Sequence, residues 1–149
     1  MNNEMPSTLT VDKDITFSSN LATVLAVLLD TENYPRYIKN IESAKVIYKE
    51  EDESEVSFKA KVGIVPFEYS IKTTKVSDHK IVFEQKSGFF SLLNGEWILK
   101  ENNGQVNSQY IINVKLPIFA AGKIVEKAID LYFPSMLNDF KCEIERRSH

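Results

Sequence analysis

The chain has 149 residues, with 18 Lys and Arg against 21 Asp and Glu, a net charge of −3. That is the length of one domain, able to bury about 70% of its unfolded surface without staples. The mild, interspersed charge gives no basic patch for nucleic acid and no standing attraction to anionic membranes.

The lone Cys142 excludes an internal disulfide framework and fits a reducing, cytoplasmic setting. No apolar run reaches the roughly 18 residues of a membrane-spanning helix. Residues 1–7 read as a polar leader with no packing of its own, and the stretch to Asp14 lacks the order of a signal peptide.

Leu9 to Phe17 alternates β-formers and predicts a first strand. Ser18, Ser19 and Asn20 are all N-cap residues. Leu21, Val24, Leu25, Leu28 and Leu29 then repeat at helical spacing to about Thr31. Asn33-Tyr34-Pro35 punctuates the helix, and Pro35 to Lys39 suits one further short turn. A strand through Ala44, Val46 and Tyr48 follows, and the acidic Glu50 to Glu55 is read as a solvated turn.

Val56, Phe58, Ala60, Val62 and Ile64 alternate with polar residues, as a half-buried strand requires. Gly63 to Pro66 turns the chain into Phe67, Tyr69, Ile71 and Thr73, which share the next inward face. Ser77-Asp78-His79 turns it again toward Ile81 and Phe83, ending near Ser87-Gly88. Leu93 to Glu101 and Val106 to Leu116 are joined by Asn102-Asn103-Gly104, a strong hairpin signal. Such clean alternation predicts an antiparallel sheet with one wet face.

The last segment, Ile118 to Arg147, is helical. Ala121, Val125, Ala128, Ile129 and Tyr132 form one apolar sector, whereas Met136, Leu137, Phe140 and Ile144 form another. Asp139 and Glu143 fall where the first sector would continue, so their charge argues that it stops. Pro134 sits at the change, which predicts a kink near Leu131 or two helices. On this reading Ala121 to Tyr132 walls a cavity, and Met136 to Ile144 anchors the helix. Gly122 predicts a late start.

The order strand, helix, short helix, six strands, long helix resembles the START-like helix-grip (SRPBCC) superfamily. Leu29-Asp30 with Asn33-Tyr34-Pro35 and Tyr37 is similar to its segment after the first helix. Leu93-Asn94-Gly95-Glu96-Trp97-Ile98-Leu99 resembles its L-x-G-x-W-x-F strand, with Leu99 in place of the usual aromatic. Phe140-Lys141 with Glu145 resembles the end of its last helix. The segment around Phe89 follows no family pattern. Within the superfamily the chain is similar to the polyketide cyclase / coenzyme Q-binding branch, which also includes a ribosome-association toxin group.

The resemblance implies a single α+β domain over residues 1–149. Its curved antiparallel sheet of about seven strands wraps around a long C-terminal helix, in β-α-α-β6-α order. It also implies a cavity for a lipid, isoprenoid quinone or polyketide-like molecule. In plant members the loops after the third and fifth strands act as gate and latch. Here these are Gly63-Ile64-Val65-Pro66 and Ser87-Gly88-Phe89-Phe90. Phe89 and Phe90 either close the mouth or fold back into the core.

Catalytic groups are scarce. His79 lies in an exposed turn, His149 is terminal, and no His/Cys/Asp/Glu set has metal spacing. Cys142 beside the late stripe reads as a packed small residue. No cofactor and no catalytic residue is assigned. The inward candidates for an apolar guest are Phe58, Phe67, Tyr69, Ile71, Phe83, Phe89, Trp97, Tyr110, Ile112, Val125, Ile129 and Tyr132. Thr73, Ser108 and Gln85 add polar groups nearby. A few hydroxyls among aromatic walls suit a ligand pocket, and they equally suit a core of satisfied tyrosines. Carriage or sequestration of a hydrophobic molecule is the leading expectation. An aromatase/cyclase using Tyr69, Tyr110 or Tyr132 comes second, and a ribosome-associated role last, because the chain is acidic.

Overall fold

The Asn20 side chain accepts a hydrogen bond from the Thr23 amide at 2.8 Å and so starts a helix at Leu21. In the computed structural model, which describes residues 8–120 and 122–148, that helix is α1, Leu21–Leu28. It follows the strand β1, Thr8–Phe17. The leader 1–7, Ala121 and His149 lie outside the described residues.

α1 ends three residues before the expected limit, and the cause is local. Asn33 Nδ2 bonds Asp30 Oδ1 at 2.8 Å, which tightens the chain into a 3₁₀ helix over Thr31–Arg36. This short helix begins before Pro35 rather than at it. The last carbonyls of α1 are capped by tyrosines. Tyr34 donates to the Leu28 carbonyl, and Tyr37 donates to that of Val27 at 2.9 Å.

The remaining strands are β2 Ile41–Lys49, β3 Glu53–Val62, β4 Val65–Ser77, β5 Lys80–Gly88, β6 Leu92–Asn102 and β7 Gln105–Lys115. They pair antiparallel in the order β1-β7-β6-β5-β4-β3-β2. Glu53 and Glu55 belong to β3 and not to a turn. Tyr48 donates to Glu53 across the hairpin at 2.6 Å, which draws the acidic run into the ladder. The β6–β7 turn places Asn103 and Gly104 at φ 51° and 79°, the primed geometry that Asn-Gly favours. Val56, Phe58, Ala60, Phe67, Tyr69, Ile71, Tyr110, Ile112 and Val114 are buried on the concave face. Ile64, expected on that face, is 80% exposed because the chain has already turned at Gly63.

Two glycines bring elements close enough to shape this face. A Cβ on Gly88, whose φ is +133°, would lie 2.4 Å from Tyr69 Cα. One on Gly95 would lie 2.6 Å from Phe83 Cζ and 2.3 Å from the Ile111 carbonyl oxygen. The glycine of the L-x-G-x-W segment thus makes room for a neighbouring ring.

The chain closes with α2, Lys123–Arg147, preceded by a 3₁₀ turn at Ile118–Ala120. Gly122 is its N-cap, so the helix does start late. It runs through Pro134 as one helix and does not divide in two. Ala128, Ile129, Tyr132, Phe133, Met136, Leu137, Phe140 and Ile144 are buried along it. Four-residue steps of this kind drift about 40° around a helix each time. The two expected sectors are therefore one winding stripe, matched to a twisted sheet. Glu143 is buried with that stripe instead of ending it, and Cys142 is exposed rather than packed. No helix among the described residues is long and apolar enough to cross a membrane.

Candidate ligand chamber

Antiparallel pairing brings the β3–β4 turn, the end of β5, the start of β6 and the end of β7 to one end of the sheet. Below that end, between the sheet and α2, lies a chamber of about 50 Å³. Phe58, Tyr69, Ile71, Thr73, Ile81, Phe83, Leu93, Trp97, Tyr110 and Ile112 line it from the sheet. Phe133, Met136 and Phe140 line it from α2, and Leu28, Thr31, Tyr34 and Ile41 complete it. This space holds a few waters. It is well below the roughly 300–1,000 Å³ of small-molecule pockets, so the concave face is more nearly filled than the resemblance implies.

An aromatic layer fills it on the side toward the turns. The Phe67 ring meets Tyr132 edge-on at 4.9 Å, and Phe90 lies 5.3 Å from Tyr69 and 5.9 Å from Phe133. Phe90 is buried, and its backbone is held at both ends by Gln85. Gln85 Nε2 donates to the Phe90 carbonyl at 2.8 Å, and Oε1 accepts from the Phe90 amide at 3.1 Å. Phe90 therefore folds into the core, whereas Phe89 stays half-buried against Phe67. The segment likened to a gate is a two-residue turn, Gly63-Ile64, between fully paired strands, with no slack to swing.

Among the residues expected around a guest, Phe58, Tyr69, Ile71, Phe83, Trp97, Tyr110 and Ile112 come together on the chamber. Phe67, Phe89 and Tyr132 belong to the aromatic layer. Ile129 lies in a separate groove with Leu9, Val114 and Leu116, and Val125 is a half-buried flank of the core. The wall from α2 is thus its middle and second half, not the stretch from Lys123 to Tyr132, because the winding stripe turns Phe133, Met136 and Phe140 inward. Phe140 also serves as an anchor, edge-on to Tyr34 at 5.1 Å. Leu28, Thr31, Tyr34 and Ile41 escaped the sequence reading. The D-x-x-N-Y-P signal marked their neighbourhood without showing that it folds under the sheet.

The chamber is electrically quiet. Tyr69 and Tyr132 share a hydrogen bond at 2.6 Å. Burial pushes the phenols of Tyr34, Tyr69, Tyr110 and Tyr132 above their ordinary value; neighbouring tyrosines raise Tyr34, Tyr110 and Tyr132 further, whereas the hydrogen bond with Tyr132 draws Tyr69 partly back. Ser108, though inward, spends its hydroxyl on the Ile15 carbonyl at 2.7 Å. Among the described residues no group of three or more His, Cys, Asp or Glu could hold a metal ion. His79 lies outside, with Nδ1 3.0 Å from the Leu99 carbonyl.

Residues 19–141 match the polyketide cyclase / dehydrase and lipid transport family. The chain belongs to this family. No curated protein gives a significant match to the sequence. Among solved structures, a protein of Thermus thermophilus superposes with TM-score 0.81 at 18% identity, covering 95% of this chain and 100% of that one. The ZhuI aromatase/cyclase of Streptomyces sp. R1128 gives TM-score 0.81 at 15% identity, covering 96% and 97%. A START superfamily protein of Mycobacterium smegmatis gives 0.78 at 12%, covering 93% and 98%. At such identities the likeness is one of fold, and that fold is the START-like helix grip. In this member of the polyketide cyclase / dehydrase and lipid transport family, the grip closes on a small aromatic chamber.

Proposed function

We propose that the protein binds, carries or sequesters a hydrophobic small molecule between the sheet and α2. The lipid, isoprenoid quinone and polyketide-like classes are the candidates, in a cytoplasmic setting consistent with the exposed thiol of Cys142. The observation that carries this reading is the chamber lining, which is aromatic and aliphatic with only a few hydroxyls and no charged side chain. Burial of apolar surface, at about 25 cal/mol per Å², would drive binding. Because the chamber is small, a guest has to displace part of the Phe67–Phe90–Tyr132 layer. Binding therefore costs reorganisation and proceeds slowly.

The aromatase/cyclase alternative is less well supported. A phenol acts as a proton acceptor near neutrality only if its pKa falls, and burial moves all four interior tyrosines the other way.

Trp97 is the only tryptophan and borders the chamber, so it reports occupancy directly. Titration with a panel of quinones, sterols and fatty acids should change its emission for at least one compound. Native mass spectrometry should then retain that compound on the folded chain. A flat response across the panel, with no retained mass, overturns the reading.

A further inference from the structure

Hydrogen bonds around the chamber do not balance. Tyr34 uses its hydroxyl hydrogen on the Leu28 carbonyl. Tyr69 and Tyr132 have two hydroxyl hydrogens and share a single bond, so one O–H is left over. The Tyr110 hydroxyl and the Trp97 indole N–H bond to no group among the described residues, although the two residues are 2% and 3% exposed. Among the described residues no side-chain N or O sealed from space lacks a partner. Both donors therefore border open space, and both residues line the chamber.

An indole N–H only donates, and a phenol with a free hydrogen donates readily. Thr31 and Thr73 add hydroxyls that serve either way. The chamber thus offers two unspent donors, Tyr110 and Trp97, of which the indole cannot accept. Its lining contains no Lys, Arg or His to neutralise a carboxylate and no Asp or Glu to neutralise an amine. An unpaired ion buried there would be strongly disfavoured.

Resting on the guest-binding reading above, we propose that the guest is uncharged and carries a carbonyl-type oxygen that accepts hydrogen bonds from Tyr110 and Trp97. Its apolar remainder packs on Phe58, Phe83, Met136 and Phe140. Fatty-acid anions and amines are rejected, and pure hydrocarbons bind without orientation. Tyr69, paired to Tyr132, supports the wall rather than the guest.

Calorimetric titration of the full chain with three bicyclic probes tests this. They are α-tetralone, its oxygen-free counterpart tetralin, and naphthoate. Tetralone should bind about five- to tenfold more tightly than tetralin, the worth of one or two hydrogen bonds. Naphthoate should bind more weakly than either. Tyr110→Phe should erase most of the preference for tetralone over tetralin. Equal affinity for tetralone and tetralin on the unaltered chain overturns the proposal while guest binding stands. So does naphthoate binding most tightly, or a preference that survives Tyr110→Phe. If none of the three binds although a compound of the quinone, sterol and fatty-acid panel does, this proposal falls and guest binding stands; if nothing in that panel binds either, both fall.

Discussion

The hydroxyls of Tyr69 on β4 and Tyr132 on α2 meet at 2.6 Å inside the aromatic layer. Both residues are nearly inaccessible, and this bond ties the sheet to the middle of the closing helix. Tyr69→Phe leaves the Tyr132 hydroxyl buried without its partner and should cost about 1–2 kcal/mol. Tyr132→Phe should cost the same. The double variant should cost less than the sum of the two, since it leaves no orphaned hydroxyl. Urea unfolding of the four proteins gives the cycle, and strictly additive costs would mean that the contact is energetically idle.

The same tyrosines set the alkaline limit of stability. Burial holds the folded-state pKa of Tyr34, Tyr69, Tyr110 and Tyr132 above the unfolded value near 10. Their contribution is therefore complete below about pH 10. Above it the unfolded chain gives up protons that the folded chain keeps, so stability falls as pH rises toward the folded values. Each such tyrosine contributes a slope of about 1.4 kcal/mol per pH unit in that window. Tyr110→Phe should reduce the slope by one tyrosine's share. Tyr48 differs, because it is only half-buried and its hydrogen bond to Glu53 is the main cause that pushes it up to about 12. Ultraviolet phenolate titration should show the buried set ionising only with unfolding.

The sheet was legible because half-buried antiparallel strands write their burial directly as alternation. Phe58, Tyr69, Ile71, Tyr110 and Ile112 fall inward as that pattern requires. The Asn20 cap and the Asn103-Gly104 turn were legible for similar local reasons. The phase of α2 was not. Whether Val125 or Phe133 faces the chamber depends on how a winding stripe meets a twisted sheet, which no local period encodes. The 3₁₀ helix after Asp30 was misplaced because its start is fixed by a side chain, Asn33, and not by Pro35. Burial of Glu143 could have been read from Arg146 and Arg147, three and four residues on, the spacing at which a helix pairs charges.

That cluster makes an acid-side prediction. Glu143 accepts from Arg146 Nε at 2.9 Å and from Arg147 Nε at 2.7 Å, while Arg147 Nη2 reaches Asp30 Oδ2 at 3.3 Å. The Arg147 guanidinium also sits 5.6 Å over the Tyr37 ring. These partners lower the Glu143 carboxyl to about 2, with the hydrogen bond from Arg146 the largest cause. A depressed carboxylate contributes stability above its unfolded value and loses it as pH falls through the folded value. The loss should begin near pH 5 and be complete near pH 2. The solvent-exposed Arg146 screens the interaction, so about 1–2 kcal/mol is expected. Glu143→Gln should remove this share of the acid dependence in urea titrations at neutral and acid pH. An unchanged acid limb would assign that dependence to other carboxylates.

Pro134 remains the point where the closing helix and the chamber touch. It has no amide hydrogen, so the Asp130 carbonyl lacks its helical partner, and the exposed position of Asp130 lets water supply one. The cost is thereby lowered, and α2 continues unbroken past the ring. Phe133 and Met136, on either side of Pro134, both line the chamber. Pro134→Ala restores the missing bond and should raise stability by roughly 1–2 kcal/mol, less than the ~3 kcal/mol of an ordinary helix interior. A stiffer helix should also yield more slowly when a guest displaces the aromatic layer. Stopped-flow Trp97 fluorescence with a bound probe should then show slower uptake at similar final affinity. An unchanged rate would reduce Pro134 to a detail of packing, and faster uptake would mean that Pro134 holds the layer shut.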